Sequence, residues 1–144
     1  MTARITPLAA SDAPPPGMFE AIFARLDENS RPLIGPAIAR PLVIPLRDEA
    51  GSVVGGFWGM TMFQWLHVQM LFVPEASRGS GLGTEIMDIA ERDARERGCA
   101  GSCVDTLGFK AARFYERLGY ARFGVLDEYP PGFQRIYLRK RIAT

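Results

Sequence analysis

The sequence predicts a mixed α/β (α+β) domain, a mostly antiparallel sheet of about six to seven strands flanked by helices. Three observations carry this. Apolar runs of strand length follow one another between residues 41 and 73, separated by turn residues. A glycine-rich stretch, Arg78-Gly79-Ser80-Gly81-Leu82-Gly83, then opens a segment of helical periodicity. A strand, a short helix and two closing strands complete the order, which mixes antiparallel hairpins with a parallel step.

Taken in order, Arg4 to Leu8 reads as a short first strand, and Ser11 to Gly17, with three prolines that block helix and strand alike, as a stiff loop. Met18 to Leu26 sets Met18, Ile22, Phe23 and Leu26 on one helical face. Asn29 to Arg40, with Pro32, Gly35 and Pro36, reads as a loop with room for one helical turn. Pro41 to Leu46, Val53 to Phe63 and Trp65 to Val73 are strands, joined by a turn at Arg47 to Gly51 and a tight connection at Gln64. Gly55, Gly56 and Gly59 mark bulges or close backbone approach. The aromatic run Phe57, Trp58, Phe63 and Trp65 is expected to be mostly core. The helix after Gly83 runs to about Arg97. Leu82, Ile86, Ala90 and Ala94 line its buried face, and Asp88–Arg92, Glu91–Arg95 and Asp93–Arg97 pair on its wet side. Ala100 to Asp105 is a strand, Phe109 to Leu118 a helix, and Tyr120 to Leu126 and Phe133 to Ile142 the last strands.

The 144 residues suit a single domain, 1–144, which buries roughly 70% of its unfolded surface and needs no staple. Lys plus Arg is 17 and Asp plus Glu 16, so no general attraction for nucleic acid or an anionic membrane follows. Cys99 and Cys103 fit neither a zinc pair nor a redox C-x-x-C, and read as reduced thiols. No metal is expected. The first ten residues lack a signal-peptide pattern, and no window approaches the roughly 20 apolar residues of a membrane span. The expected compartment is the cytoplasm.

The glycine-rich stretch lies where a strand ends and a helix begins. The first amide N–H groups of a helix have no intrahelical partner and carry the positive end of its dipole, so they attract phosphate. Gly79, Gly81 and Gly83 let a diphosphate approach the backbone, and Arg78 adds a charge. The plainer reading is a flexible turn. A P-loop would need Lys after Gly83, where Thr84 stands, and a dinucleotide fingerprint would need Gly at 84.

Arg78, Gly81 and Gly83 match the R/Q-x-x-G-x-G/A motif, and Phe114-Tyr115-Glu116-Arg117-Leu118-Gly119-Tyr120 matches F-Y-x-x-x-G-F/Y. With these two blocks in this order, the chain resembles the GNAT superfamily of N-acetyltransferases from about Val53 to Ile142. The resemblance implies acetyl-CoA as co-substrate. Its diphosphate would lie on Arg78, Gly79, Ser80, Gly81, Leu82, Gly83 and Thr84, and its pantetheine arm along Leu71, Phe72 and Val73. It also implies a sheet splayed after the fourth strand to admit that arm. Family members are often dimers, which leaves a homodimer open. One departure is Gly108, where many members place an Asn that contacts pantetheine; Thr106 and Lys110 are the substitutes at hand.

Acetyl transfer requires a neutral amine, and a lysine-like amine with a pKa of about 10.4 is almost wholly charged at pH 7. A base is therefore useful, as is an acid for the departing thiolate. By resemblance Tyr115 is the acid; the alternative is a core aromatic. His67, the only histidine, stands eleven residues before Arg78, where histone-type members carry a glutamate base. A structural histidine is its alternative, with Asp105, Asp127 and Glu128 in reserve. The acceptor, a small-molecule or peptide amine, would meet the N-terminal helical region and the Asp127–Phe133 loop, with Tyr129 and Phe133 as walls. The competing function is a non-catalytic CoA-binding or sensing module on the same fold.

Overall fold

The computed structural model describes residues 3–144, and within it two compact units, one running to Ala37 and one from Ile38 to Thr144. The first unit holds one helix, α1 (Met18–Ile34). Two sequence expectations change here. Arg4 to Leu8 forms no strand, because it finds no ladder to join and Pro7 has no N–H to give one. The helix also continues eight residues beyond Leu26, through Pro32. Pro32 falls in the last turn, where its missing donor forfeits only a bond at a fraying end. Gly35, at φ 81°, stops the helix by giving its N–H to the Arg31 carbonyl. Asp27 binds Arg31 on the same face and accepts the Ala37 N–H at 2.7 Å. That backbone bond, then Arg31, lowers its carboxyl pKa.

The second unit is a six-stranded sheet of β1 (Arg40–Arg47), β2 (Val53–Met62), β3 (Trp65–Phe72), β4 (Gly101–Leu107), β5 (Ala121–Asp127) and β6 (Gln134–Arg141). Its spatial order is β1-β2-β3-β4-β6-β5, and only β3 and β4 run parallel. The crossover between them carries a single 3₁₀ turn (Glu75–Ser77) and helix α2 (Leu82–Glu96); α3 (Phe109–Arg117) joins β4 to β5. Parallel neighbours need such a long connection, whereas β2 and β3 need two residues, Phe63 and Gln64, both at positive φ as the strands' twist requires.

Both helices pack on one face of this sheet. Ile86, Met87, Ala90 and Ala94 of α2, with Ala112 and Tyr115 of α3, bury against Phe57, Leu66, Val68, Val104, Ile136 and Leu138. Gly56 and Gly59 permit this by close strand approach. A Cβ on Gly56 would lie 2.2 Å from the Ile44 carbonyl, and one on Gly59 2.6 Å from that of His67. Of the aromatic run only Phe57 is core. Trp58 and Phe63 are exposed, and Trp65 lies flat over Gly101, because alternation turns residues 58 and 65 to the other face.

Glu91 is also reassigned. It lies on the buried side of α2, 3% exposed, not on the wet side with Arg95. Lys140 on β6 reaches its Oε1 at 2.7 Å, and the Tyr120 hydroxyl donates to its Oε2 at 3.0 Å. Ser102 completes this buried cluster, 2.8 Å from the same hydroxyl. Asp93 and Arg97 do form the expected helical pair, at 2.9 Å. Arg97 further ties the Pro41 carbonyl and Thr61 to the end of α2.

Candidate functional site

The parallel pair β3–β4 is a ladder only from Trp65–Gly101 to Val68–Val104. Beyond it the strands part. Asp105 to Leu107 pair only with β6, and Met70 to Phe72 only with β2. The cause lies in β3, where Val68 faces Gly59 and Met70 faces Trp58, so Gln69 is an extra residue. Such a bulge bends its strand and raises the local twist. It swings the end of β3 away from β4 and leaves backbone donors and acceptors on both lips without a strand partner.

The glycine loop follows at the mouth of this split. Gly79 and Gly81 have φ of 80° and 83°, and a Cβ on either would meet nothing within 4 Å. The first α2 bond runs from the Glu85 N–H to the Gly81 carbonyl, and no side chain caps the helix. Among the described residues the six successive amides of 79–84 therefore have no protein acceptor. Gly83 has a packing role instead, since its Cβ would sit 3.3 Å from the Phe114 ring. Ser80 hydrogen-bonds the Ser77 carbonyl at 2.7 Å and tightens the turn. Arg78 folds back on β3, donating from Nε to the Val73 carbonyl at 2.9 Å with its guanidinium 5.5 Å from the Phe72 ring centre. Six unpaired amides beside open strand edges suit a diphosphate followed by an amide-bearing arm.

Tyr115 lies on the helix-side face, its ring edge-on to Phe114 and Tyr120 at 5.1 and 5.5 Å. It is 5% exposed, and burial raises its pKa to about 12, so it stays protonated at neutral pH. A buried tyrosine normally spends its hydroxyl on a partner, as Tyr120 does. The Tyr115 hydroxyl has none among the described residues, and no fully buried side-chain polar atom is left unpaired there, so this hydroxyl reaches an accessible surface.

His67 alternates with Leu66 and Val68 and so faces the opposite side of the sheet, two residues before the bulge. Burial lowers its pKa, favouring neutral imidazole. The reserve carboxylates differ. Asp105 is tied to Arg135 at 2.6 and 2.7 Å, and Asp127 accepts from Gln134 at 2.8 Å. Asp127, Glu128 and Phe133 line an open cleft of about 610 Å³ with Phe109, Arg122 and Ile136. Tyr129 is not in its lining; it lies against Arg135, 4.9 Å from ring centre to guanidinium. Thr106 is half-buried on β4 and Lys110 exposed on α3, beside Gly108. Sequence reasoning missed Gln69 altogether, because a bulge at a residue other than glycine leaves no compositional mark.

The model of the acetyltransferase (GNAT) family matches residues 7–120. An acetyltransferase of Agrobacterium fabrum is 43% identical over 107 residues, 74% of this chain and 78% of that protein. The blasticidin-S acetyltransferase of Streptomyces morookaense is 42% identical over 108 residues, covering 72% and 79%. A crystal structure described as an acetyltransferase from Agrobacterium tumefaciens superposes with a TM-score of 0.86 at 38% identity, over 94% of this chain and 99% of that one. The fold is also that of a streptothricin acetyltransferase from Bacillus anthracis in complex with acetyl-CoA, at a TM-score of 0.60 and 17% identity, over 70% and 62%. No helix among the described residues is long and apolar enough to cross a membrane. The matched segment contains the free amides, the strand split and Tyr115, and on these grounds the chain belongs to the GNAT family of acetyltransferases.

Proposed function

We propose that this enzyme moves an acetyl group from acetyl-CoA directly to a primary amine of a small molecule or peptide, with both substrates bound together. The observation that carries the reading is the row of six unpaired amides, 79–84, at the mouth of the β3–β4 split. Acetyl-CoA supplies an activated thioester. The amides and the α2 dipole hold its diphosphate, Arg78 keeps the end of β3 in place, and the edges of Leu71, Phe72 and Val73 pair with the pantetheine amides. His67 takes a proton from the amine, and the Tyr115 hydroxyl gives one to the departing sulfur. Asp127 and Glu128 draw the amine into the cleft, whose apolar lining is Phe109 and Phe133. A small-molecule acceptor is supported by the relative that acetylates blasticidin S.

The test is thiol release from acetyl-CoA against a panel of amines, beside melting curves with CoA and with NAD. Turnover on an amine, with stabilisation by CoA but not NAD, supports the reading. Failure of CoA to raise the melting temperature would sink the role given to the amides.

A further inference from the structure

Cys103 has no part in the scheme above, yet it stands directly across the parallel ladder from His67. Its Sγ lies 3.5 Å from His67 Nδ1 and 3.7 Å from the Leu66 carbonyl oxygen. Only one arrangement makes both contacts hydrogen bonds at once. A carbonyl oxygen only accepts, so in it the single thiol proton goes to Leu66. Sulfur then offers His67 a lone pair, and Nδ1 must bring the proton to that contact. A neutral imidazole carries one N–H, so Nε2 is left bare. We propose that Cys103 is a positioning residue that holds His67 in its Nδ1–H tautomer and keeps Nε2 free to accept a proton, an inference that rests on His67 as the base.

The surroundings favour this arrangement. Burial, with the Asp105 charge second, pushes the Cys103 thiol pKa up, so the S–H remains a donor. Asp105 on the same strand is engaged by Arg135 of β6. On β6, Arg139 is paired with Cys103 in register, but its guanidinium lies 5.4 Å from the Phe123 ring centre; Tyr137 is paired with Asp105. On β2, the residue opposite His67 is Met60, which carries no charge. Among the described residues nothing but Cys103 is hydrogen-bonded to Nδ1. The opposite tautomer would turn Nε2 into a donor and disable it as a base.

Because the chain has one histidine, imidazole ¹⁵N shifts can be assigned without ambiguity. Histidine-labelled protein without acetyl-CoA, studied near pH 7.5 by long-range ¹H–¹⁵N NMR, should show a protonated Nδ1 and a bare Nε2. Cys103→Ser, which keeps a donor and an acceptor, should retain that pattern. Cys103→Ala should let the two nitrogen shifts converge and lower kcat/KM about three- to tenfold, with serine restoring most of the loss. A protonated Nε2 in the unaltered protein, or nitrogen shifts unchanged in Cys103→Ala, would overturn the proposal. His67→Gln with full kcat/KM would instead remove the base reading on which it rests, whatever the tautomer.

Discussion

Tyr115 and Tyr120 stand five residues apart with rings in contact, and replacing each with phenylalanine should separate chemistry from stability. Tyr115→Phe removes a hydroxyl that no protein group uses, so stability should change by no more than about 0.5 kcal/mol. Tyr120→Phe removes the donor to Glu91 and the neighbour of Ser102 inside the core. A hydrogen bond to a charged group contributes about 1.5–3 kcal/mol and a neutral one about 1, so a loss of about 3 kcal/mol is expected. For a chain of this size that lowers the melting temperature by about 10 °C. Activity should divide the other way. Loss of a general acid reduces kcat by at least about tenfold, whereas Tyr120→Phe should keep most of its kcat below its melting range. Differential scanning fluorimetry without ligand, and thiol release at saturating acetyl-CoA, measure the two effects. A Tyr115→Phe enzyme with full kcat, or one that melts as early as Tyr120→Phe, would refute the assignment.

If His67 is the base as proposed, its lowered pKa predicts that kcat/KM falls on the acid side through an inflection below the ordinary histidine value of about 6.5, because protonation removes the proton acceptor. His67→Gln should abolish that inflection in a pH profile. Lys140→Met strips the buried Glu91 of its cation and should cost about 3 kcal/mol in urea unfolding, the low end for a buried pair because Tyr120 remains as a donor. Gly56→Ala puts a Cβ 2.2 Å from a backbone oxygen at φ 129°, and should destabilise by more than about 3 kcal/mol or prevent folding, as judged by circular dichroism. Arg78→Ala frees the end of β3 and should raise KM for acetyl-CoA several-fold with kcat nearly unchanged, since the lost contact serves binding alone.

What the sequence reveals of this molecule follows from how local each cause is. Glycines mark positions of positive φ or of close backbone approach, so the loop at 79–83 and the tight approaches at Gly56 and Gly59 are legible from residue type and spacing alone. Tyr115 is legible through its motif. Glu91 is not, because its partner Lys140 lies 49 residues away and the nearby Arg95 offers a plausible helical mate. Helix α1 passes Pro32 because a proline in the last turn removes little, a matter of position that composition cannot weigh. Arg4 to Leu8 reads as a short strand and still forms none, since a strand exists only with a partner. His67 is legible as the single histidine, but its contact with Cys103 depends on the parallel register of two strands 36 residues apart.

The placement of the two proposed proton carriers has a consequence for how the fold works. Tyr115 belongs to the helix-side core and His67 to the opposite face, so a continuous sheet would separate them. The ladder between β3 and β4 ends at Val68, one residue past His67, and the bulge at Gln69 follows at once. The split is thus the place where one face of the sheet opens toward the other. On the proposed reading the amine loses its proton on one side and the sulfur gains one on the other, with the reacting atoms between the lips. A change that closes the lips should then impair both proton transfers, although it touches neither side chain. Deletion of Gln69 is such a change. Without the extra residue Val68 and Met70 become neighbours facing Gly59 and Trp58, the strand loses its bend while Leu71 keeps its place on the core face, and the end of β3 can pair onward with β4. The variant should lose CoA-dependent stabilisation and turnover together. If it turned over acetyl-CoA normally, the split would not be what brings the two faces into one reaction.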